Sequence, residues 1–255
     1  MKIALIGNSH LGPIAPELAG LTRTDAYDVN ATYFISRTYG QQQLKIVSGT
    51  HADIVEDVQL DVDNGVPDVL DTRVYDRFYV CGFQFSLIHL IEAVQLYQPE
   101  SMSLDLAPQL LADSDFDDYV DHTFTTTTAR SILDRLRAHT TADIVLVPAP
   151  HPARWVASDT RERSLAYGLL SENESAREFL LSQYQRQTKR ISESGFLVAE
   201  QPIDTITDCW FTRDEYSLGD PNGSTRAFYE RGDFYHMNRS YGNVYARQIL
   251  NELTS

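Results

Sequence analysis

Three polar residues near the two ends of the chain have the types and spacing for nucleophilic catalysis: Ser9, Asp233 and His236. A serine hydroxyl is a poor nucleophile until an imidazole takes its proton. The imidazole in turn needs a carboxylate on its other nitrogen, to hold the tautomer and stabilise the cation. A spacing of three lets Asp233 reach back to Nδ1 of His236 and leaves Nε2 for Ser9. Each residue also has a plainer reading. Ser9 is a favoured helix N-cap, Asp233 suits an Asx-turn after Gly232, and a single histidine is more often packed than catalytic. The three together favour the nucleophile, base and carboxylate. That chemistry requires the two ends of the chain to meet.

The elements that must bring them together can be read from hydrophobic periodicity. Residues 2–6 (KIALI) form a continuous apolar run closed by Gly7, the pattern of a strand buried on both faces. Pro13, Ile14, Leu18 and Leu21 follow as a first helix, with proline tolerated in its opening turn. Residues 29–36 read as a second strand. The stretch 44–62 reads as a short strand to Val47 and then a loop opening at Gly49. Residues 78–82 are a third strand, and 84–97 an amphipathic helix with Phe85, Ile88, His89, Ala93 and Leu96 at helical spacing. Residues 100–121 are acidic and irregular, a surface insertion or cap over the site. A helix over about 125–139, a strand at 143–147, a helix over 172–193 ended by Gly195, a fifth strand at 196–200 and a helix over 240–252 complete the chain.

Strands separated by helices imply an α/β fold, a mostly parallel five-stranded sheet between helices on both faces, in one domain over 1–255. Ligands collect at the carboxyl ends of the strands in such folds. The informative segments are therefore Gly7-Asn8-Ser9-His10, Gly82-Phe83-Gln84, and Asp233-Phe234-Tyr235-His236 before the last helix.

Composition narrows the classes. In 255 residues, 21 Lys and Arg against 36 Asp and Glu leave a net charge of −15, which repels phosphate backbones and anionic lipid surfaces. Neither a nucleic acid nor a membrane is an expected partner. No run approaches the roughly 18 apolar residues of a membrane span, and the N-terminal stretch has no room for a signal-peptide core. The two cysteines, Cys81 and Cys209, form no disulfide framework, so a reducing, cytoplasmic compartment is expected. The scattered His, Asp and Cys lack zinc-ligand spacing, so no metal or cofactor is expected.

Gly7-Asn8-Ser9-His10 after an N-terminal strand, with Asp233-x-x-His236 before a C-terminal helix, resembles the SGNH (GDSL-type) hydrolase superfamily. The resemblance spans the chain. It implies a flavodoxin-like three-layer α/β/α sandwich, a Ser9–His236–Asp233 triad, and cleavage or transfer of acyl groups on small-molecule or carbohydrate esters. It also implies an oxyanion hole from Ser9, a glycine after the second strand and an asparagine after the third. Val47-Ser48-Gly49-Thr50 is similar to the glycine block, with Gly40 the less favoured choice. Two positions depart from the pattern: Asn8 stands where many members have Asp, and Gln84 where Asn is expected.

Around these residues His10, Phe83 and His151 are read as pocket walls, His10 pointing away from Ser9 and His151 more simply a structural loop residue. Two other readings compete. Gly7-x-Ser9-x-x-Gly12 with Arg37 resembles a degraded dinucleotide fingerprint, although serine replaces the middle glycine and Asp233 and His236 go unexplained. The Gln84 departure also suits a binding protein that keeps the hydrolase fold without its activity.

Overall fold

The computed structural model describes residues 1–23, 27–36, 42–61, 65–102, 104, 109–217, 230 and 232–254. The chain opens with β1 (Lys2–Gly7), α1 (Ile14–Thr22) and β2 (Asn30–Ile35). A hairpin of β3 (Gln42–Ser48) and β4 (His51–Leu60) follows, then β5 (Val69–Asp71), β6 (Arg77–Cys81) and α2 (Leu87–Leu96). Next come the short pair β7 (Gln98–Pro99) and β8 (Leu110–Leu111), α3 (Asp113–Thr125), α4 (Thr128–His139) and β9 (Asp143–Val147). The last third holds α5 (Leu165–Glu172), α6 (Glu174–Glu193), β10 (Leu197–Val198), the hairpin β11 (Ile206–Thr207) and β12 (Phe211–Thr212), and α7 (Arg239–Thr254).

The central sheet has five strands in the order β10-β9-β6-β1-β2, all parallel. Renumbered within the sheet this is 2-1-3-4-5, the flavodoxin-like winding. Its central strands read as apolar runs because both faces are covered: Ile3, Ala4, Leu5 and Ile6 are all 0% exposed, as a parallel sheet between two helical layers demands. The winding reverses between β1 and β6, and the loops that leave these two strands carry Ser9 and Gln84. Among the described residues no helix is long and apolar enough to cross a membrane.

The chain ends meet through α1 and α7. Gly242 of α7 lies against the start of α1, so closely that a Cβ there would sit 1.9 Å from the Pro13 carbonyl oxygen. Arg239 pairs with Glu17 at 2.6 Å, and the Asn243 side-chain amide donates to the same carboxylate at 3.2 Å. Pro13 follows Ser9 by one helical turn, and Gly242 follows His236 by less than two. The close approach of the helices therefore sets the approach of the two side chains. Gly242→Val is expected to lose about 3 kcal/mol or more, since the obstructing atom is backbone and the helices must part. For a chain of this size that is a fall of about 6–12 °C in Tm, read by thermal denaturation.

Several stretches differ from the sequence reading. The expected loop after Gly49 is β4, paired with β3 through a two-residue turn in which Gly49 has φ +63°. Its apolar positions Val55, Val58 and Leu60 do not alternate with a single period, and the pairing shifts register between Gln43 and Leu44. The helix expected over 84–97 starts at Leu87, because the Ser86 side chain accepts from the His89 N–H at 3.0 Å and caps it. The supposed cap ends in α3, whose Phe116, Val120 and Phe124 are buried and which packs on α2 and α6. Asp117 and Asp121 of α3 meet Arg186 of α6 at 2.8 and 2.9 Å. Residues 103 and 105–108 of that expected cap lie outside the described residues. Finally, α5 was not foreseen, and the strand expected at 196–200 pairs only at Leu197 and Val198.

Candidate active site

Ser9 is exposed in a 3-10 turn, Ser9–Leu11, at the carboxyl end of β1. The cap is Asn8, not Ser9: its Oδ1 accepts from the His10 N–H at 3.2 Å. The Leu11 and Gly12 N–H groups donate to the Asn8 and Ser9 carbonyls, both at 3.0 Å. With His10, Leu11 and Gly12 all bonded internally, the turn has no row of free N–H groups to cradle a pyrophosphate, which removes the basis of the dinucleotide reading. Arg37, its other support, lies outside the described residues.

The second loop is strained. Gly82, Phe83 and Gln84 have φ of +82°, +53° and +70°, and the turn closes with Phe85 N–H on the Gly82 carbonyl at 3.3 Å. Left-handed non-glycine residues cost on the order of 1–3 kcal/mol each and persist where the surroundings enforce them. Here the Gly82 N–H donates to Val147, Ala129 donates to the Phe83 carbonyl and Ala149 to that of Phe85, at 2.9, 3.2 and 2.9 Å. The glycine is required: a Cβ at position 82 would lie 2.6 Å from Asn8 Oδ1.

The third loop precedes α7. Phe234 is 0% exposed and wedges edge-on between Trp155 and Tyr167, which pins its neighbours Asp233 and Tyr235. Asp233 Oδ1 accepts from the N–H groups of Tyr235 and His236 at 3.2 and 3.1 Å. The Asx-turn and the carboxylate partner are therefore one arrangement, not alternatives.

These loops place His236 Nδ1 at 3.0 and 2.9 Å from the two Asp233 oxygens, and His236 Nε2 at 2.7 Å from Ser9 Oγ. Burial pushes the Asp233 carboxyl up. The hydrogen bond from the His236 ring, the electrostatic attraction of that ring and the backbone N–H groups of His236 and Tyr235 outweigh it and hold the group below its ordinary value. An ionised carboxylate only accepts. The His236 proton therefore sits on Nδ1, donated to Asp233, and Nε2 is left to accept the Ser9 hydroxyl.

Of the expected oxyanion donors, Gln84 is exposed, its side chain without a hydrogen-bond partner among the described residues, and Ser9 N–H is likewise uncommitted there. Gly49 is not brought to Ser9. It tips the β3–β4 hairpin, where the Thr72 hydroxyl lies 3.1 Å from the Val47 carbonyl and 3.0 Å from that of His139. Thr72 precedes β6 and His139 ends α4, so both mark the amino end of the sheet. Ser9 lies at the other end, about 15 Å away along a five-residue strand. Gly40, the other choice, lies outside the described residues.

The three expected pocket residues divide. His10 does not point away: its ring stacks on that of His236, centroids 5.2 Å apart. Nothing in the spacing signals that contact, because it depends on the chain's far end. Phe83 is 5% exposed and part of the apolar core, not a pocket wall. His151 is also buried: its Nδ1 lies 3.1 Å from the Trp210 carbonyl and its N–H donates to Gln201 Oε1 at 2.8 Å. Burial pushes the His151 pKa down to about 4 against a weaker upward effect of the Trp210 carbonyl. Unfolded, the group titrates near pH 6.5. Between these values the unfolded chain binds more protons, so stability falls as pH drops through that window and is unaffected above it. The expected loss is up to about 3 kcal/mol, measured by urea unfolding at pH 7.5 and 4.5. His151→Gln should remove that share of the pH dependence and leave the share from His10, whose pKa burial also lowers to about 4.

Sequence reasoning also missed a contact beside the triad: the Tyr235 hydroxyl donates to Glu92 Oε1 of α2 at 3.1 Å.

No family model matches the chain. No protein of curated function matches it either. Among solved structures, a GDSL-like lipase from Bacteroides thetaiotaomicron VPI-5482 is similar over 99% of this chain and 86% of its own, at 11% identity and a TM-score of 0.44. An acetyl xylan esterase is similar over 99% of this chain and 100% of its own, at 9% identity and a TM-score of 0.39. Likeness of this degree bears on no residue of the site.

Proposed function

We propose that this chain is a serine-dependent ester hydrolase. One observation carries the reading: the unbroken contact from Ser9 Oγ through His236 to the Asp233 carboxylate, at 2.7 and 2.9 Å. Ser9 Oγ attacks the ester carbonyl while His236 Nε2 takes its proton. The Ser9 N–H and the Gln84 side-chain amide are the donors proposed to face the developing oxyanion, each worth about 3 kcal/mol of transition-state stabilisation. Collapse of the tetrahedral intermediate expels the alcohol, which leaves with the proton held on His236. Water then repeats the attack on the acyl-enzyme and His236 serves as base again. A second hydroxyl in place of water would give transfer by the same steps. Small-molecule and carbohydrate esters are the proposed substrates.

The test is turnover of p-nitrophenyl acetate by the wild-type protein, with and without prior exposure to a fluorophosphonate. Hydrolysis that the reagent abolishes supports the reading. Folded protein that neither turns over the ester nor reacts with the reagent overturns it and leaves the inactive binding protein.

A further inference from the structure

We propose that His10 is a positioning residue, an imidazole wedged between the Gly82 turn and the His236 ring that fixes the plane of that ring. The inference rests on the serine-hydrolase reading. His236 is held at its two nitrogens, by Asp233 on one side and Ser9 on the other. Those two hydrogen bonds and the bond to Cβ locate the ring, but hydrogen bonds bend easily and still allow its plane a small swing. A contact on its face stops the swing, and His10 supplies one: the rings lie 5.2 Å apart and 24° from parallel.

The wedge is itself backed. A Cβ on Gly82 would lie 3.0 Å from His10 Cδ2, and Asn8 Oδ1 holds the His10 N–H at 3.2 Å. His10 Nδ1 is buried with no hydrogen-bond partner among the described residues, so shape, not polarity, holds the ring. Burial first and the nearby His236 second push its pKa down to about 4, while Asp233 pulls it up. Those two side chains are the titratable groups that face it from the loop before α7, and the Gly82 turn adds none. A neutral partner matters because His236 becomes a cation during turnover, and a second cation on its face would oppose that step.

The experiment compares His10→Ala with His10→Phe, which keeps a flat ring and loses the unpartnered nitrogen. Misplacement of a reacting group by about 1 Å costs on the order of 100-fold. His10→Ala is therefore expected to lose roughly 10- to 100-fold in kcat on p-nitrophenyl acetate with KM little changed, and His10→Phe to regain most of it. The low-field NMR resonance of the His236 Nδ1 proton should stay sharp in the wild type and His10→Phe and broaden in His10→Ala. Wild-type kcat in His10→Ala, or equal loss in both variants, overturns the proposal. The proton resonance needs no turnover. A wild type that cleaves no ester but shows the expected resonances therefore sinks the hydrolase reading and leaves the wedge standing.

Discussion

Ser9→Ala is expected to lower kcat on p-nitrophenyl acetate by about 10⁶-fold, the order seen when a triad nucleophile is removed. The variant should also be as stable as the wild type, within about 0.5 kcal/mol. The two expectations separate because Ser9 is exposed and the turn is capped by Asn8. No hydrogen bond of the fold, among those described, depends on the Ser9 hydroxyl except the one to His236. Cys81 offers no substitute nucleophile, since it is buried and burial pushes its thiol well up. Thermal denaturation beside the ester assay distinguishes loss of chemistry from loss of structure.

Asp233→Asn should cost about 10⁴-fold in kcat while leaving the loop intact, the size of effect that follows when the imidazole is held in the wrong tautomer. An asparagine oxygen can still accept from the Tyr235 and His236 N–H groups, so the Asx-turn survives. Its amide nitrogen, if turned to His236, donates where the carboxylate accepted. The His236 proton is then driven to Nε2, which points at Ser9 as a donor and cannot take the hydroxyl proton. Stabilisation of the imidazolium is lost as well. KM should change little, because Asp233 reaches the reacting atoms only through His236. A kcat within tenfold of wild type would mean that Asp233 serves the turn alone.

Much of this was legible in the sequence because it is local. The apolar runs at 2–6 and 143–147 and the Asp-x-x-His spacing are short-range patterns, and each maps onto a strand or a turn at nearly the expected bounds. What escaped depends on partners distant in the chain. The stretch 51–60 is acidic, and it becomes a strand because 42–48 pairs with it across a bulge. That pairing carries Gly49 to the far end of the sheet and away from Ser9. The stack of His10 on His236 likewise arises between residues 226 positions apart by number, once Gly242 lets α7 close on α1. The helix at 113–125 was a missed signal of another kind: Phe116, Val120 and Phe124 recur every fourth residue, and the surrounding aspartates hid the stripe.

The most direct measurement is peptide mapping by tandem mass spectrometry after stoichiometric reaction with a fluorophosphonate. The adduct is predicted on Ser9, in the wild-type protein and not in His236→Ala under the same exposure. An adduct on any other residue, or one on Ser9 formed equally fast without His236, would contradict a hydroxyl activated by that imidazole.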